Sequence, residues 1–206
     1  SIQSQGNYPK LTLKALGGKP FLLLVFSYLA QAMLFWGITL WLPMVVKSLG
    51  FSGMKQAFGS ALPYFTAIIL AIPMSYISDK TGQRILIAAS GLIIPGILLI
   101  FLPLVVPGFI KLILIAIALG YMASSFTANI WSTLQTNVEP SVIGPAAGII
   151  NGIGSGGGGA LAGFIVGLLL NNTGSYMPGF MVIGFIVILG GISLLIYGKV
   201  TRRRVN

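Results

Sequence analysis

Cysteine and histidine are absent from this 206-residue sequence, and aspartate and glutamate together number only 2. Without cysteine there is no disulfide or thiolate chemistry, and without histidine the usual zinc ligand and general base are missing too. Charged residues make up 7% of the chain, whereas a soluble domain carries roughly a quarter. The scarcity of charge therefore excludes a chain that is mostly exposed to water.

The sequence has long apolar runs instead. Hydrophobic residues make up 56% of the chain, and the mean hydropathy is +0.98. A helix needs about 20 predominantly apolar residues to cross a bilayer. Six runs of this kind cover 21–46, 56–77, 85–106, 110–137, 146–170 and 177–198. They are too long for the alternating strands of a membrane barrel, so the sequence predicts an all-α membrane protein with six transmembrane helices.

The basic residues predict the topology of these spans. With six spans, both termini lie on one side of the membrane, together with the loop that contains Lys80 and Arg84. The segments 1–19 and 199–206 add most of the remaining positive charge to that side. By the positive-inside rule both termini should be cytoplasmic, and 199–206 should form a basic cytoplasmic tail. This explains the net charge of +10 without a nucleic-acid partner.

A stripe of polar side chains marks the fourth predicted helix. Hydrogen-bonding residues at 125, 129, 132 and 136 fall on one helical face. In hydrocarbon such a face must turn inward. Two alternatives stay open: the stripe lines a wet cavity, or it bonds to neighbouring helices.

Glycine marks the fifth predicted helix. It recurs every four residues at 144, 148, 152 and 156, and again at 159, 163 and 167. Small residues at this spacing let a neighbouring helix approach closely. We therefore predict helix packing at Gly148, Gly152, Gly156 and Gly163.

A charged turn lies between the second and third predicted helices. It reads Ser78-Asp79-Lys80-Thr81-Gly82-Gln83-Arg84, and the apolar runs on either side of it carry no charged residue. This pattern favours a conformational hinge over an active site. We expect Asp79, Gly82 and Arg84 to act in gating, with Asp79 near a helix N-terminus, where negative charge is favoured.

Catalytic motifs are missing. Ser155 is not in a Gly-x-Ser-x-Gly pattern, because Ile153 replaces the first glycine. The glycine run lacks the Lys-Ser/Thr of a phosphate-binding loop. The two carboxylates, Asp79 and Glu139, lie far apart in predicted loops. We predict no enzyme, no metal site and no cofactor.

The charged turn also resembles a family signature. Ser75-x-x-x-Asp79-Lys80-x-Gly82-Gln83-Arg84 is similar to the Gly-x-x-x-Asp-Arg/Lys-x-Gly-Arg/Lys-Arg/Lys loop of the major facilitator superfamily. It departs at Ser75 and Gln83, as the copies in second halves of these transporters typically do. The resemblance implies the C-terminal six-helix half of a transporter in a bacterial plasma membrane. Its partner would be the N-terminal half, and 1–19 would be the end of the linker between them.

Shorter motifs resemble the anion:cation symporter family within that superfamily. They are Trp41-Leu42-Pro43, Leu62-Pro63-Tyr64 and Asn151-Gly152-Ile153-Gly154. Members of that family take up sugar acids and other organic carboxylates with protons or sodium. The resemblance implies that Trp131 and Asn151 contact the substrate. Gln31 and Tyr64, on the first and second helices, are further candidate lining residues.

Three functions follow as hypotheses. The leading one is transport of a small organic anion by alternating access, coupled to protons or sodium. The basic residues of the spanning region lie near helix ends, so the counter-charge for an anion would come from the other half. The first alternative is an exporter of drugs or lipids from the same superfamily. The second is a membrane scaffold or a pore built from self-associating six-helix units.

Overall fold

The computed structural model of the chain describes residue 12 and residues 14–205, with side chains as far as residue 201. Within this part, six helical segments are long and apolar enough to cross a bilayer. They are Pro20–Thr39, Gly53–Thr81, Arg84–Leu104, Gly108–Asn137, Pro140–Thr173 and Met177–Thr201. The predicted all-α class and the six spans are thereby confirmed. Most of the predicted linker 1–19 and residue 206 of the predicted tail lie outside the described residues.

Several spans consist of more than one helix. The α-helices are α1 Pro20–Thr39, α2 Leu42–Ser48, α3 Gly53–Thr81, α4 Arg84–Phe101, α5 Gly108–Ser125, α6 Thr127–Asn137, α7 Ile143–Ile149, α8 Gly158–Thr173 and α9 Met177–Val205. Short 3₁₀ turns occupy Leu102–Leu104 and Pro140–Val142. A π-helical segment, Ile150–Gly157, joins α7 to α8. The fourth span is thus α5 followed by α6, and the fifth is α7, the π segment and α8.

Proline acts differently at its several positions. The first apolar run, predicted as one helix over 21–46, divides into α1 and α2, and Pro43 lies in the first turn of α2. A proline there loses no intrahelical hydrogen bond, because the first-turn N–H groups have no partner in the helix. Pro63 and Pro73 remain inside α3, and Pro95 remains inside α4. Membrane helices tolerate such prolines where neighbouring groups satisfy the freed carbonyls.

The bundle is built around α1, α4, α5 and α9. α4 packs along α9 and α3 packs along α5, while α1 contacts α9 and the fifth span. Between α4 and α9, a Cβ added to Gly96 would lie 2.7 Å from the carbonyl oxygen of Gly184, so glycine is needed at this crossing. α3 is peripheral, since its buried residues are Gly59, Pro63 and Ser78. Most of its surface is therefore left for lipid or another protein.

The fifth span buries a different face from the one predicted. Its buried positions recur every four residues at 146, 150, 154, 158, 162 and 166. Added Cβ atoms would lie 2.7 Å from the Tyr28 ring at Gly154 and 2.6 Å from the Leu29 carbonyl oxygen at Gly158. These two glycines allow the close approach to α1.

Within the described chain, the glycines predicted to pack against a helix have few neighbours, and their packing role stays a prediction. A Cβ at Gly148, Gly152 or Gly156 would meet no described atom within 4 Å. Gly163 would meet only Leu40 Cδ1, at 4.0 Å. Gly148, Gly152 and Gly156 are offset by two residues from the buried positions, which is about half a helical turn, so this part of the ladder points away from α1. Gly163 is offset by only one residue and lies at the edge of the buried face.

Candidate functional site

A cleft of about 210 Å³ opens where the first, fourth and fifth spans meet. One face of α1 supplies much of its wall, because positions 28, 31, 32 and 35 are separated by helical spacing. Aromatic and polar side chains are mixed along it. The lining residues are Tyr28, Gln31, Ala32, Phe35, Trp36, Met122, Ala123, Thr127 and Ser155.

Tyr28 is the point where the three spans are joined. Its hydroxyl donates a hydrogen bond to Asn151 Oδ1 in the π segment, at 3.3 Å. Its ring meets Trp131 of α6 edge-on, with 5.5 Å between centroids, and lies 6.0 Å from the Phe126 ring. Edge contacts of this kind are favourable for aromatic rings. Tyr28 thereby places an amide and an indole beside the same cleft.

Gln31 and Trp36 carry the other polar groups of the α1 wall. The buried Gln31 amide donates from Nε2 to the sulfur of Met122, at 3.3 Å. A thioether is a weak acceptor, so a stronger acceptor on a bound molecule would replace it at little cost. Trp36 Nε1 donates to Ser155 Oγ at 3.4 Å. Both donors are thus held in place by bonds that a substrate could exchange.

The π segment positions Asn151 and Ser155 against α1. π-helical turns are rare and are frequently found at functional sites, because they widen the helix and shift its side chains. Here the segment contains Asn151, which bonds to Tyr28, and Ser155, which accepts from Trp36. The local widening therefore coincides with the polar contacts of the cleft.

Of the four residues predicted to contact substrate, the structure places one in the lining of the cleft and two outside the lining, in contact with Tyr28. Gln31 lines the cleft, and Trp131 and Asn151 both touch Tyr28. Tyr64 is not among the lining residues; it lies on α3 with 43% of its surface exposed. Their roles in substrate binding stay predictions.

Sequence reasoning missed Tyr28, Trp36 and Ser155. The signal for Tyr28 was its spacing, since it lies three residues before Gln31 and therefore on the same helical face. Trp36 lies five residues after Gln31, and no simple spacing rule connects the two. Ser155 had been considered only as a nucleophile, although it follows Asn151 by four residues.

The residues predicted to act in gating lie at the junction of α3 and α4. Asp79 is in the last turn of α3, which continues to Thr81 and ends at Gly82 with φ +65°, a left-handed conformation that favours glycine. Asp79 thus lies within a helix and not in the predicted loop, because α3 stops only at the glycine. Its predicted place near a helix N-terminus stays a prediction: the next helix, α4, begins at Arg84, which faces Asp79. At a C-terminus, the helix dipole disfavours a carboxylate.

Arg84 connects this junction to the fourth span. Its guanidinium lies 3.9 Å from the Asp79 carboxylate, and it donates a hydrogen bond to Ser132 Oγ of α6. Side-chain exposure is 43% for Arg84 and 76% for Asp79. An exposed pair of this kind contributes only about 0–1 kcal/mol. The ion pair can therefore open at little cost.

The polar stripe of the fourth span bonds to the same junction. Ser78 donates to Asn129 Oδ1, and Asn129 Nδ2 donates to the Ser125 carbonyl oxygen at 2.8 Å. Ser78 and Asn129 are both buried. Of the two alternatives for the stripe, the structure shows interhelical bonding at 129 and 132. These bonds connect α6 to the junction of α3 and α4, and Asn129 and Ser132 also line a pocket of about 240 Å³ there, separate from the cleft.

Comparison with known proteins identifies the family. The family model described as the Major Facilitator Superfamily matches residues 2–163. The chain belongs to the major facilitator superfamily. The resemblance in the charged turn is thereby confirmed at the level of the superfamily, while the anion:cation symporter subtype stays a prediction.

Three curated relatives illustrate the range of this superfamily. A "Quinolone resistance transporter" of Acinetobacter baumannii is 28% identical over 198 residues, which is 93% of this chain and 44% of that protein. A "Putative tartrate transporter" of Agrobacterium vitis is 23% identical over 181 residues, or 81% and 37% of the two chains. An "MFS-type transporter cnsO" of Penicillium expansum is 29% identical over 125 residues, or 58% and 24%. The chain thus spans less than half the length of each of these major facilitator proteins.

Proposed function

We propose that this chain is the C-terminal half of a secondary transporter that moves a small organic anion by alternating access. The proposal rests on superfamily membership and on the junction at Tyr28, where three spans meet at one cleft. In secondary transporters the substrate binds between two halves that rock around it. In this proposal the cleft forms one wall of such a site, and the partner half forms the other wall.

The chemistry of the cleft supports an oxygen-rich substrate with a flat or apolar part. Gln31, Asn151 and the Tyr28 hydroxyl can donate hydrogen bonds to carboxylate or hydroxyl oxygens. The Trp36 and Phe35 rings supply apolar surface. Among the described lining residues none is basic or acidic. The counter-charge and any proton-binding carboxylate would therefore belong to the partner half, with protons or sodium as the coupling ion.

The exposed surface of the chain supports a large partner. α3 presents Ile68, Ile69 and Ile72 with exposures of 68%, 71% and 80%. The first part of the glycine ladder, at 144, 148, 152 and 156, adds a smooth face with no described atom within 4 Å of an added Cβ. In this proposal the N-terminal half covers part of these faces. Small residues there would let its helices approach closely.

The junction at Asp79 and Arg84 supplies the gate in this proposal. The exposed ion pair sits next to the Ser78–Asn129 and Arg84–Ser132 hydrogen bonds. The buried bond holds α3 and α6 together while the exposed charges remain free to exchange partners. Closing and opening would then involve Asp79 and Arg84 against the partner half.

Export of a drug-like compound is the second candidate function. It is supported by the aromatic share of the cleft wall and by the relative named as a quinolone resistance transporter. Both candidates use the same fold and the same cleft. They differ in the direction of transport and in the size and polarity of the cargo.

Transport by the full-length protein in proteoliposomes tests the proposal. We expect uptake of tartrate or a sugar acid that is driven by an imposed proton or sodium gradient, and that falls when Asn151 is replaced by alanine. Extrusion of a quinolone without organic-acid uptake would favour the second candidate. Transport of neither, with intact folding, would support the scaffold or pore alternative and overturn the proposal.

A further inference from the structure

A second cavity lies between the third and sixth spans. It is a groove of about 540 Å³ between the start of α4 and the end of α9. These helices belong to the third and sixth spans, whereas the candidate substrate cleft is formed by the first, fourth and fifth. The groove is therefore a separate site, and its volume falls in the range of about 300–1,000 Å³ typical of ligand pockets.

The walls of the groove are apolar and open to the surroundings of the bundle. Leu86 of α4 and Ile192 and Ile196 of α9 line it with exposures of 53%, 43% and 47%. At its base the two helices touch, because a Cβ on Gly198 would lie 2.9 Å from Ile85 Cγ2. A narrow apolar channel between two membrane helices fits a lipid acyl chain.

One end of the groove is polar and positively charged. Gln83 and Lys199 line it there, and both side chains are exposed. In the sequence, Arg202, Arg203 and Arg204 follow after Val200 and Thr201. Clusters of four or more basic residues at the end of a transmembrane helix attract anionic lipid headgroups.

The start of α4 adds to the positive field at this end. Its N-cap residue, Gln83, makes no side-chain capping bond, so the first-turn N–H groups lack that partner and their dipoles favour an anion. Of the two carboxylates in the sequence, neither lines the groove. Asp79 lines a different pocket, with Arg84 and Ser132. The charge at the groove is thus positive, since Lys199 is the charged residue of its lining.

We propose that this groove binds an anionic phospholipid, with one acyl chain along Leu86, Ile192 and Ile196 and the phosphate at the Lys199 end. The site lies in the bilayer leaflet that is on the same side of the membrane as the C-terminal end of α9. It is distinct from the candidate substrate cleft, because the two share no lining residue.

Native mass spectrometry of the full-length protein with added phosphatidylglycerol or phosphatidylcholine tests the site. We expect Lys199→Gln to weaken phosphatidylglycerol binding about five-fold, since one basic residue near an anionic surface contributes about 1 kcal/mol. Phosphatidylcholine binding should not change. The matched control is Lys55→Gln, which removes an exposed lysine at the start of α3, outside the groove, and should leave phosphatidylglycerol binding as it was.

Gln83→Glu provides a second variant at the same end of the groove. A carboxylate at the start of α4 favours the helix, so folding is preserved while the added negative charge should weaken phosphatidylglycerol binding. The proposal fails if both groove variants bind phosphatidylglycerol like the unaltered protein. It also fails if Lys55→Gln has an equal effect. Inorganic phosphate alone should not displace the lipid; displacement at millimolar phosphate would indicate a simple anion site and overturn the proposal.

Discussion

Replacing Gly158 by alanine tests how closely α8 approaches α1. The new methyl carbon would lie 2.6 Å from the Leu29 carbonyl oxygen, 2.8 Å from Ala32 Cβ and 3.2 Å from the Met33 backbone nitrogen. Two of these atoms belong to the α1 backbone, so rotation of a side chain cannot relieve the contact. Extra carbon in a well-packed interior costs about 1–3 kcal/mol. We expect Gly158→Ala to lie at the upper end of that range.

Gly163→Ala is the matched control, because it adds the same methyl group to the same helix. There the nearest described atom is Leu40 Cδ1 at 4.0 Å, an ordinary van der Waals contact. The assay is thermal unfolding of the full-length protein in detergent, with the unfolding temperature as readout. Gly158→Ala should unfold at a clearly lower temperature, and Gly163→Ala at the original temperature or slightly above it. Equal unfolding temperatures for the two variants would refute the packing described for α8.

Three further predictions concern the cleft and the gate. Asn151→Ala removes the acceptor of the Tyr28 hydroxyl and should weaken substrate binding about five-fold, the value of one uncharged hydrogen bond; an unaltered dissociation constant would remove Asn151 from the site. Asp79→Asn should slow transport in proteoliposomes and spare substrate affinity, because the exposed ion pair lies outside the cleft; an unchanged rate would contradict a gating role. Asn129→Ala should lower stability by about 1–3 kcal/mol, since it removes the acceptor of the buried Ser78 hydroxyl; unfolding at the original temperature would count against that bond.

The six spans could be predicted because hydrophobic length alone decides whether a segment crosses a bilayer. The positions at which a span divides into two helices could not be predicted in this way. Pro43 begins a helix, whereas Pro63, Pro73 and Pro95 lie within helices. The difference depends on whether neighbouring groups can satisfy the freed carbonyls, which is a property of the packed bundle.

Part of the candidate site could also be predicted from hydrophobicity. Gln31, Trp131 and Asn151 are polar or amphipathic side chains in apolar runs, and such residues face the interior of a bundle. Tyr28 could not be predicted, because its contacts with Asn151 and Trp131 depend on how three separate spans pack. The glycine spacing predicts a smooth helix face. It does not say which neighbour that face meets, and in the described chain Gly154 and Gly158 make the close contacts instead.

The π segment at Ile150–Gly157 has a consequence for sequence comparison. Each of its backbone bonds spans five residues where an α-helix spans four, so the segment holds about one residue more than an α-helix of the same length. A relative with an uninterrupted α-helix here should align with a one-residue gap inside Ile150–Gly157. If the gap is placed elsewhere, the residues between the two positions are aligned one place out of register, which corresponds to a rotation of about 100° around the helix axis. Such an alignment would equate the buried positions of α8 with its exposed ones.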